Sequence, residues 1–568
     1  MASTTAMFTA LSGLMANARN LDVIGNNIAN VNTTAYKSNR MLFASQFSRN
    51  ISLGSVPGEN TGGTNPAQIG LGVTIAGTQR NFSTGSLQTT GDQRDLAIEG
   101  DGFFIVQQGA SSYYTRAGAF RQNSTNDLVT VSGQRVMGYG IDNQFNIVTG
   151  TLTPINLPVG ELRLSEPTSN VRFSGNLNSS GELATRGSIT TFGAMTSIGT
   201  GTPAIAGTDL MINIDDPSVA ASQPQYAAGD IIELRGVEKG GKTMPTARFT
   251  ITATTTVADY MNFIRDSAGI NTTAGGGAGV TIDALGQIVV TGNTGTSNGI
   301  AFETADVRHM NSAGTLQDPA SPFGTTTTAT ANGESIRTTF VAFDSLGNPV
   351  NVDLTMVLES KGNAGNVWRY YVNSPDDSGP SLAIGTGTVA FDPNGRQVSE
   401  TPIAITIDRS NTGADATMSV NLNFSTPQSL VTSLSSRSEL AAVYQDGTPV
   451  GTLSSFSVGV DGIITGAFTN GLTRPVGQVA VATFSNPEGL VDLGDNLFGS
   501  GPNSGTPVVT TPGNLGTGRV IGGSLELSNV DLADEFVKLI QTQTGYSANS
   551  RVISATDQLL QQLLVIGR

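Results

Sequence analysis

The sequence has no cysteine and a single histidine, His309. Without cysteine there are no disulfides, no thiolate metal sites and no cysteine nucleophiles. A histidine-dependent triad or multi-histidine metal site would have to use His309 alone. It lies in Ala305-Asp306-Val307-Arg308-His309-Met310-Asn311 with no supporting motif, and it reads as a solvated loop or strand-end side chain. Charge is also scarce, with 13% Asp, Glu, Lys and Arg against a usual ~25%. Lys and Arg (29) are outnumbered by Asp and Glu (44), for a net charge of −15. No stretch concentrates cations against a phosphate backbone, so no nucleic-acid partner is expected. No run reaches the ~18 apolar residues of a membrane span. Met1-Ala2-Ser3-Thr4-Thr5-Ala6-Met7-Phe8 lacks the basic and long apolar regions of a cleaved signal peptide. The expectation is a chain with no membrane insertion, either cytosolic or exported by a route that does not use that signal.

What the chain has is length and glycine. Its 568 residues correspond to roughly three to five domains at ~100–200 residues each. Its 70 glycines and sparse charge imply a surface built largely from Ser, Thr, Asn, Gln and Gly. Helical periodicity is strongest at the two ends. Met7, Leu11, Leu14, Ala18, Leu21, Gly25 and Ile28 alternate spacings of four and three, the seam of a coiled coil. Ser3 or Thr4 is a candidate N-cap, and Asn30-Val31-Asn32-Thr33-Thr34 ends the helix. Ser528-Asn529-Val530-Asp531 opens a second helix, with Asp531, Asp534 and Glu535 near its positive end. Leu532, Phe536, Leu539, Ile540, Tyr546, Ile553, Leu560 and Leu564 carry an apolar face to the terminus. Residues 6–18 contain no ionisable side chain, and Gly13, Gly25 and Gly545 each cost ~1 kcal/mol relative to alanine in a helix. Such helices gain stability by packing on several sides, against each other or against copies from other chains.

Between residues 70 and 525 the pattern is β with turn punctuation. Asp344-Ser345-Leu346-Gly347, Asp392-Pro393-Asn394-Gly395, Asp446-Gly447 and Asp461-Gly462 are tight-turn signals. One helix interrupts, opened by Thr256-Val257-Ala258-Asp259 and carrying Val257, Tyr260, Met261, Ile264 and Ala268 on one face. The fold class is therefore multidomain and mainly β, with discontinuous domains. N- and C-terminal α-helices carry a coiled-coil-like spacing, and a small α+β insertion interrupts the β-rich interval. Gly236-Val237-Glu238-Lys239-Gly240-Gly241-Lys242-Thr243 matches the phosphate-loop pattern. Pro245 and the β-patterned Ala247–Ala253 follow it where a helix is required, so it reads as a hairpin loop and not a nucleotide site. No catalytic, cofactor-binding or metal-binding constellation stands out, and neither an enzyme nor a cofactor is expected.

Several blocks in order carry a family resemblance. Asn20-Leu21-Asp22-Val23-Ile24-Gly25-Asn26-Asn27-Ile28-Ala29-Asn30-Val31-Asn32-Thr33-Thr34-Ala35-Tyr36-Lys37 resembles the N-terminal signature of bacterial flagellar rod and hook proteins. Asp95-Leu96-Ala97-Ile98-Glu99-Gly100-Asp101-Gly102-Phe103-Phe104 resembles a following block of that family, and Ser528-Asn529-Val530-Asp531-Leu532 its C-terminal part. The signature residues are Asn26, Asn27, Asn30, Asn32, Tyr36, Lys37, Gly102, Phe103, Phe104, Asn529, Val530 and Asp531. The long interval 151–430 resembles the outer domains of hook subunits. The stretch from Phe47 to Ile69 resembles the extra segment of the distal rod subunit, which keeps a straight, rigid rod as the alternative.

The resemblance implies a homopolymeric tube that joins motor to filament, bends while rotating and forms part of the export channel. A β-rich adhesin-like or glycan-binding surface is a further alternative, which 6% aromatics and one tryptophan, Trp368, do little to support. The expected domains are a helical inner-tube domain (1–40 and 525–568), a connecting extended or hairpin segment (41–75 and 505–524) and a β core domain (76–150 and 432–504). An outer β domain (151–181 and 326–431) and an inserted outermost α+β domain (182–325) complete the list. Met7, Leu11, Leu14, Leu21, Ile28, Leu532, Phe536, Leu539, Ile540, Ile553, Leu560 and Leu564 are the candidate polymerisation interface. The implied partners are further copies of the chain, the distal rod protein, the hook cap, the length-control protein, the hook-filament junction proteins and the flagellar type III export apparatus. The implied location is the flagellar hook at the cell exterior.

Overall fold

The computed structural model describes residues 4–199, 204–215, 222–274, 276–318, 324–398, 402–426 and 429–566; Ser3, one of the two N-cap candidates, lies outside them. Among the described residues the chain folds mainly as β-strands with three α-helices, α1 (Thr4–Ala29), α2 (Val257–Ser267) and α3 (Leu532–Ile566). It forms two compact units, one from residues 1–163 and 452–568 and the other from 164–451.

In the first unit α1 and α3 lie antiparallel, and a β body is shared between the two ends of the chain. Strand Arg135–Ile141 pairs with Thr473–Val479, and Phe103–Gln108 pairs with Val481–Thr483. The signature Gly102-Phe103-Phe104 shows why alternation matters here. Gly102 has φ +128°, which a side chain would strain, and the strand after it sends successive phenyl rings to opposite faces. Phe104 meets Phe120 at 5.2 Å in one core, while Phe103 meets Phe82, Phe484 and Phe498 at 5.5–6.0 Å in another. Beyond α1 the chain makes a two-stage arm, Asn39–Ser45 against Val73–Arg80, then Ser48–Ser52 against Ala67–Gly70.

Among its described residues the second unit holds two large cores and a small cluster between them. Strands Ser335–Phe343, Pro349–Gly362, Gly365–Asn373 and Ala383–Phe391 form an antiparallel meander. It packs on a sheet of Ile403–Asp408, Thr417–Asn423, Asn170–Asn176 and Glu439–Gln445. Trp368 is fully buried between them and donates from Nε1 to Ser433 Oγ at 3.1 Å. The turn at Asp344 works through its carboxylate: Oδ1 accepts from the Leu346 and Asn348 amides at 3.0 and 2.8 Å, while Gly347 supplies φ +78°. Asp392 repeats the arrangement with Asn394 and Arg396 at 2.9 and 2.8 Å.

The second core belongs to the α+β segment. Two four-stranded sheets and α2 enclose Val257, Tyr260 and Ile264, and the Thr256–Asp259 capping box forms as the sequence predicts. His309 departs from its sequence reading. It sits inside strand Val307–Met310 and is buried, because alternation puts it on the core side with Val307. Its Nε2 lies 2.9 Å from Asp230 Oδ2, and Tyr226 stands edge-on to the ring. Residues 238–243 form a tight hairpin rather than a helix entry.

Candidate assembly site

Where α1 ends and α3 begins, a polar network binds the two ends of the chain. Asn30 stops α1 by folding its Nδ2 back onto the Asn26 carbonyl at 2.9 Å. The chain then reverses at Ala35, whose φ of +57° is held by its buried amide donating to the Glu526 carbonyl at 2.8 Å. This turn delivers Tyr36 and Lys37 back against the helix. Asn27, buried on α1, clamps the returning strand: its Nδ2 donates to the Asn39 carbonyl at 2.8 Å and its Oδ1 accepts from the Asn39 amide at 3.0 Å. Asn27 Nδ2 also reaches Glu535 of α3 at 3.2 Å, and Tyr36 Oη donates to Asn27 Oδ1.

Lys37 enters a charged core beneath this clamp. Its Nζ donates to Glu526 Oε1 at 2.5 Å and to the Ser83 carbonyl at 2.7 Å, and both charged side chains are wholly buried. Arg116 adds a second buried cation, 3.7 Å from Glu526 Oε2 and stacked over Phe103. Burial lowers the Lys37 pKa from the ordinary lysine value against the opposing pull of Glu526, and lowers that of Arg116 likewise. Asn529 completes the tie. Its Oδ1 accepts from the Ser38 amide at 2.8 Å, and its Nδ2 donates to the Asn81 carbonyl at 2.8 Å. Asp531 then caps α3 by accepting from the Ala533 amide at 2.9 Å.

The two helices meet along a seam of small and polar side chains. Asn20 Nδ2 donates to Thr542 Oγ1 at 2.9 Å, and Asn27 meets Glu535. A Cβ on Gly13 would stand 2.8 Å from Asn549 Nδ2, and one on Gly545 would stand 3.3 Å from Asn17 Nδ2. On α1 these positions are 13, 17, 20 and 27; on α3 they are 535, 542, 545 and 549. Both series step by threes, fours and sevens, so the seam is a coiled-coil register filled with Asn, Gly, Thr and Glu. A second stripe of α1 seats the arm, with Ser12 Oγ accepting from the Val73 amide at 3.2 Å.

On α1 the apolar stripe read from sequence is offset from this seam by one residue, or about 100° around the helix; on α3 Phe536 and Ile540 are offset in the same way, while Leu539, Ile553 and Leu560 continue the seam's own spacing of threes and fours. Met7, Leu14, Leu21 and Ile28 are half-buried and Leu11 is exposed. On α3, Leu539, Ile553 and Leu560 are half-buried, while Leu532, Phe536, Ile540 and Leu564 are exposed, Phe536 by 50% and Ile540 by 59%. The α1 stripe, Phe536 and Ile540 therefore lie beside the intrachain seam, whereas Leu539, Ile553 and Leu560 are half-buried on the seam face of α3. Among the signature residues, Asn27, Lys37, Phe103 and Phe104 are buried, Asn26 and Asn32 are exposed, and Val530 is half-buried.

Sequence reasoning gave no role to Glu526, Arg116, Asn17, Asn20 or Thr542. A signal for the seam was present in the two helix glycines, Gly13 and Gly545, which mark close approach. Gly25, with nothing within 4 Å of its Cβ position, does not share that role. Among the described residues, no group of three or more His, Asp or Glu is placed to hold a metal ion, and no helix is long and apolar enough to cross a membrane.

Terminal helices tied through one polar knot, with a β body shared between the two ends of the chain and a second, mainly β unit between them in sequence, define the class: the chain belongs to the flagellar basal-body rod and hook family. Four family descriptions match in order along it. They are the flagella basal body rod protein (7–37), the flagellar hook protein FlgE/F/G D1 domain (97–181), the flagellar basal body protein FlaE D2 domain (309–448) and the flagellar basal body rod FlgEFG protein C-terminal region (521–565). Within the family its relatives are hook proteins. The chain is 29% identical to the flagellar hook protein FlgE of Treponema pallidum over 99% of both chains, and 27% identical to that of Borreliella burgdorferi over 98% of both. The crystal structure of Helicobacter pylori flagellar hook protein FlgE2 aligns with 76% of this chain and 98% of its own at 17% identity, with a TM-score of 0.36 that adds nothing to the assignment.

Proposed function

We infer that the chain is the structural subunit of the bacterial flagellar hook. It assembles with copies of itself into a curved, flexible tube that carries torque to the filament and encloses part of the export channel. The observation that carries the assembly reading is the offset between seam and stripe. Intrachain helix pairing uses mainly polar and small residues and leaves apolar side chains such as Leu11, Phe536 and Ile540 exposed on both helices for neighbouring subunits. The arm offers a further apolar surface, with Phe47, Leu53 and Val56 exposed by 89%, 81% and 87%. The rod alternative rests on the 47–69 stretch alone, whereas the relatives matched over nearly their whole length are hook proteins.

The distal rod protein below and the cap, length-control and junction proteins above are the partners this role calls for. Export through the flagellar type III apparatus without a cleaved signal fits terminal helices that are marginal until packed. The deciding experiment is electron microscopy of the full-length protein beside a chain lacking residues 1–30 and 530–568. Curved tubes from the first and monomers from the second support the reading. Straight rigid tubes select the rod, and monomers from both under all polymerising conditions overturn assembly.

A further inference from the structure

The segment that imitates a phosphate loop borders a cavity of its own within the second unit. Hairpin Glu238–Lys239 and Lys242–Thr243 lies against the meander and leaves a space of about 240 Å³. Lys239, Lys242, Arg337 and Asp353 supply its polar wall, and Met244, Pro245 and Leu382 part of its apolar wall. Gly240 makes room for the arginine: with φ +54°, it stands where a Cβ would lie 3.0 Å from Arg337 Nη2 and 2.1 Å from the Ser297 carbonyl oxygen.

The charges on this wall do not balance. Asp353 is engaged by Lys242 at 2.8 and 2.9 Å and by the Thr339 hydroxyl at 2.5 Å. Arg337 donates to two neutral carbonyls, those of Lys239 and Ser297, both at 2.7 Å. Lys239, only 1% exposed, donates from Nζ to another neutral carbonyl, that of Gly269, at 2.6 Å. The nearby Asp266 is paired with Arg265 at 2.8 Å. One carboxylate thus answers three cations, and one of the cations is buried where desolvation disfavours its charge. A buried lysine lining a cavity that carries surplus positive charge and also an apolar portion matches an amphipathic anion.

We propose that this cavity binds a small organic carboxylate with a short aliphatic tail, its carboxylate held by Lys239 and Arg337 and its tail lying against Met244, Pro245 and Leu382. Burial, and secondarily the Arg337 charge, bring the pKa of Lys239 down to about 7. An anion beside it favours the charged form, so binding takes up a proton above neutrality and weakens as pH rises. Lys242, Arg337, Asp353 and the Arg265–Asp266 pair are the other charged groups around the site.

The test is a titration of the full-length chain with sodium butyrate, followed by calorimetry and by amide chemical shifts at constant ionic strength, with sodium chloride and inorganic phosphate as parallel arms. The expected result is saturable butyrate binding at pH 6 that is at least tenfold weaker at pH 9. Lys239→Met removes it while the chain stays folded, and Leu382→Trp weakens it by filling the cavity. If Lys239→Met fails to fold, Leu382→Trp alone decides. No saturable butyrate binding at pH 6, equal binding by the variants, or binding of phosphate in place of butyrate overturns the proposal.

Discussion

Lys37 Nζ and Glu526 Oε1 lie 2.5 Å apart in a wholly buried pair, although 489 residues separate them in the chain. The contact joins the turn after α1 to the strand before α3. Glu526 also accepts from the Gly85 amide at 2.8 Å and neutralises part of the Arg116 charge. Glu526→Gln leaves two buried cations without their counter-charge, a change expected to cost about 3–5 kcal/mol. Denaturant unfolding measures this cost, and introducing Lys37→Met in the same chain should recover a substantial part of it. A cost below about 1 kcal/mol would show that the pair is not what fixes the two ends.

Asn27 stands at the next level of the same knot. An alanine there strands the part-buried Asn39 amide and carbonyl and takes one donor from Glu535, and the loss is bounded by the about 1–3 kcal/mol that a fully buried unsatisfied group costs. Asn27→Asp keeps the acceptor for the Asn39 amide but loses both donations, to the Asn39 carbonyl and to Glu535, and sets a negative charge beside Glu535. Both variants should raise hydrogen exchange across residues 30–40 while the amides of the meander in the second unit remain protected. Uniform exchange changes in both units would contradict a local clamp.

How far these elements were legible in the sequence depends on which physical signal each one leaves. The Thr256 cap, the Asp344 and Asp392 turns and the two terminal helices rest on local chemistry within a few residues, and they stand where propensity and capping rules put them. The seam between α1 and α3 rests on Asn17, Asn20, Thr542 and Glu535, which have no hydrophobic period to detect. The apolar stripe beside it dominated the pattern. Gly13 and Gly545 look like penalties when each helix is considered alone, and they become contacts only when the partner is in place. Glu526 needs a partner 489 residues away, which no local rule supplies. His309 was misplaced for a related reason: Asp230, which makes its burial tolerable, is distant in sequence.

On the proposed assembly reading, side chains outside the seam serve assembly and those within it serve folding. Leu14→Asp and Ile540→Asp place charge on side chains outside the seam, so each should abolish tubes in electron micrographs while helical circular dichroism and the unfolding midpoint of the monomer change little. Gly545→Leu acts on the other face, driving a side chain into Asn17, and should lower monomer helicity before assembly is attempted. Normal tubes from either aspartate variant would remove the stripes from the interface.

Lys239 gives the second unit a pH dependence of definite sign. Its pKa of about 7 in the folded chain lies below the ~10.4 of an unfolded lysine. Between those values the unfolded state binds more protons, so stability rises with pH. From pH 7 to 9 the unfolding midpoint of the second unit should climb in the native chain and stay flatter in Lys239→Met. The variant should also be the more stable of the two at neutral pH, because it removes a buried cation. Parallel pH profiles for the two proteins would exclude Lys239 as the source.

Removing residues 182–325 asks what the α+β segment adds to a bending tube. The deletion strips more than a decoration, because Val357 and Tyr371 of the meander are buried beneath it, in a cluster with Ala274. A Cβ on Gly295 would stand 2.8 Å from Val357. The cut chain should therefore carry Val357→Thr and Tyr371→Lys to keep the new surface soluble. Because neither terminal helix is touched, tubes should still form. Their curvature and persistence length, read from electron micrographs, should shift, because the segment proposed as the outermost domain, with its proposed contacts between subunits, is gone. Tubes of unchanged curvature and stiffness would place the bending mechanics in the inner domains alone.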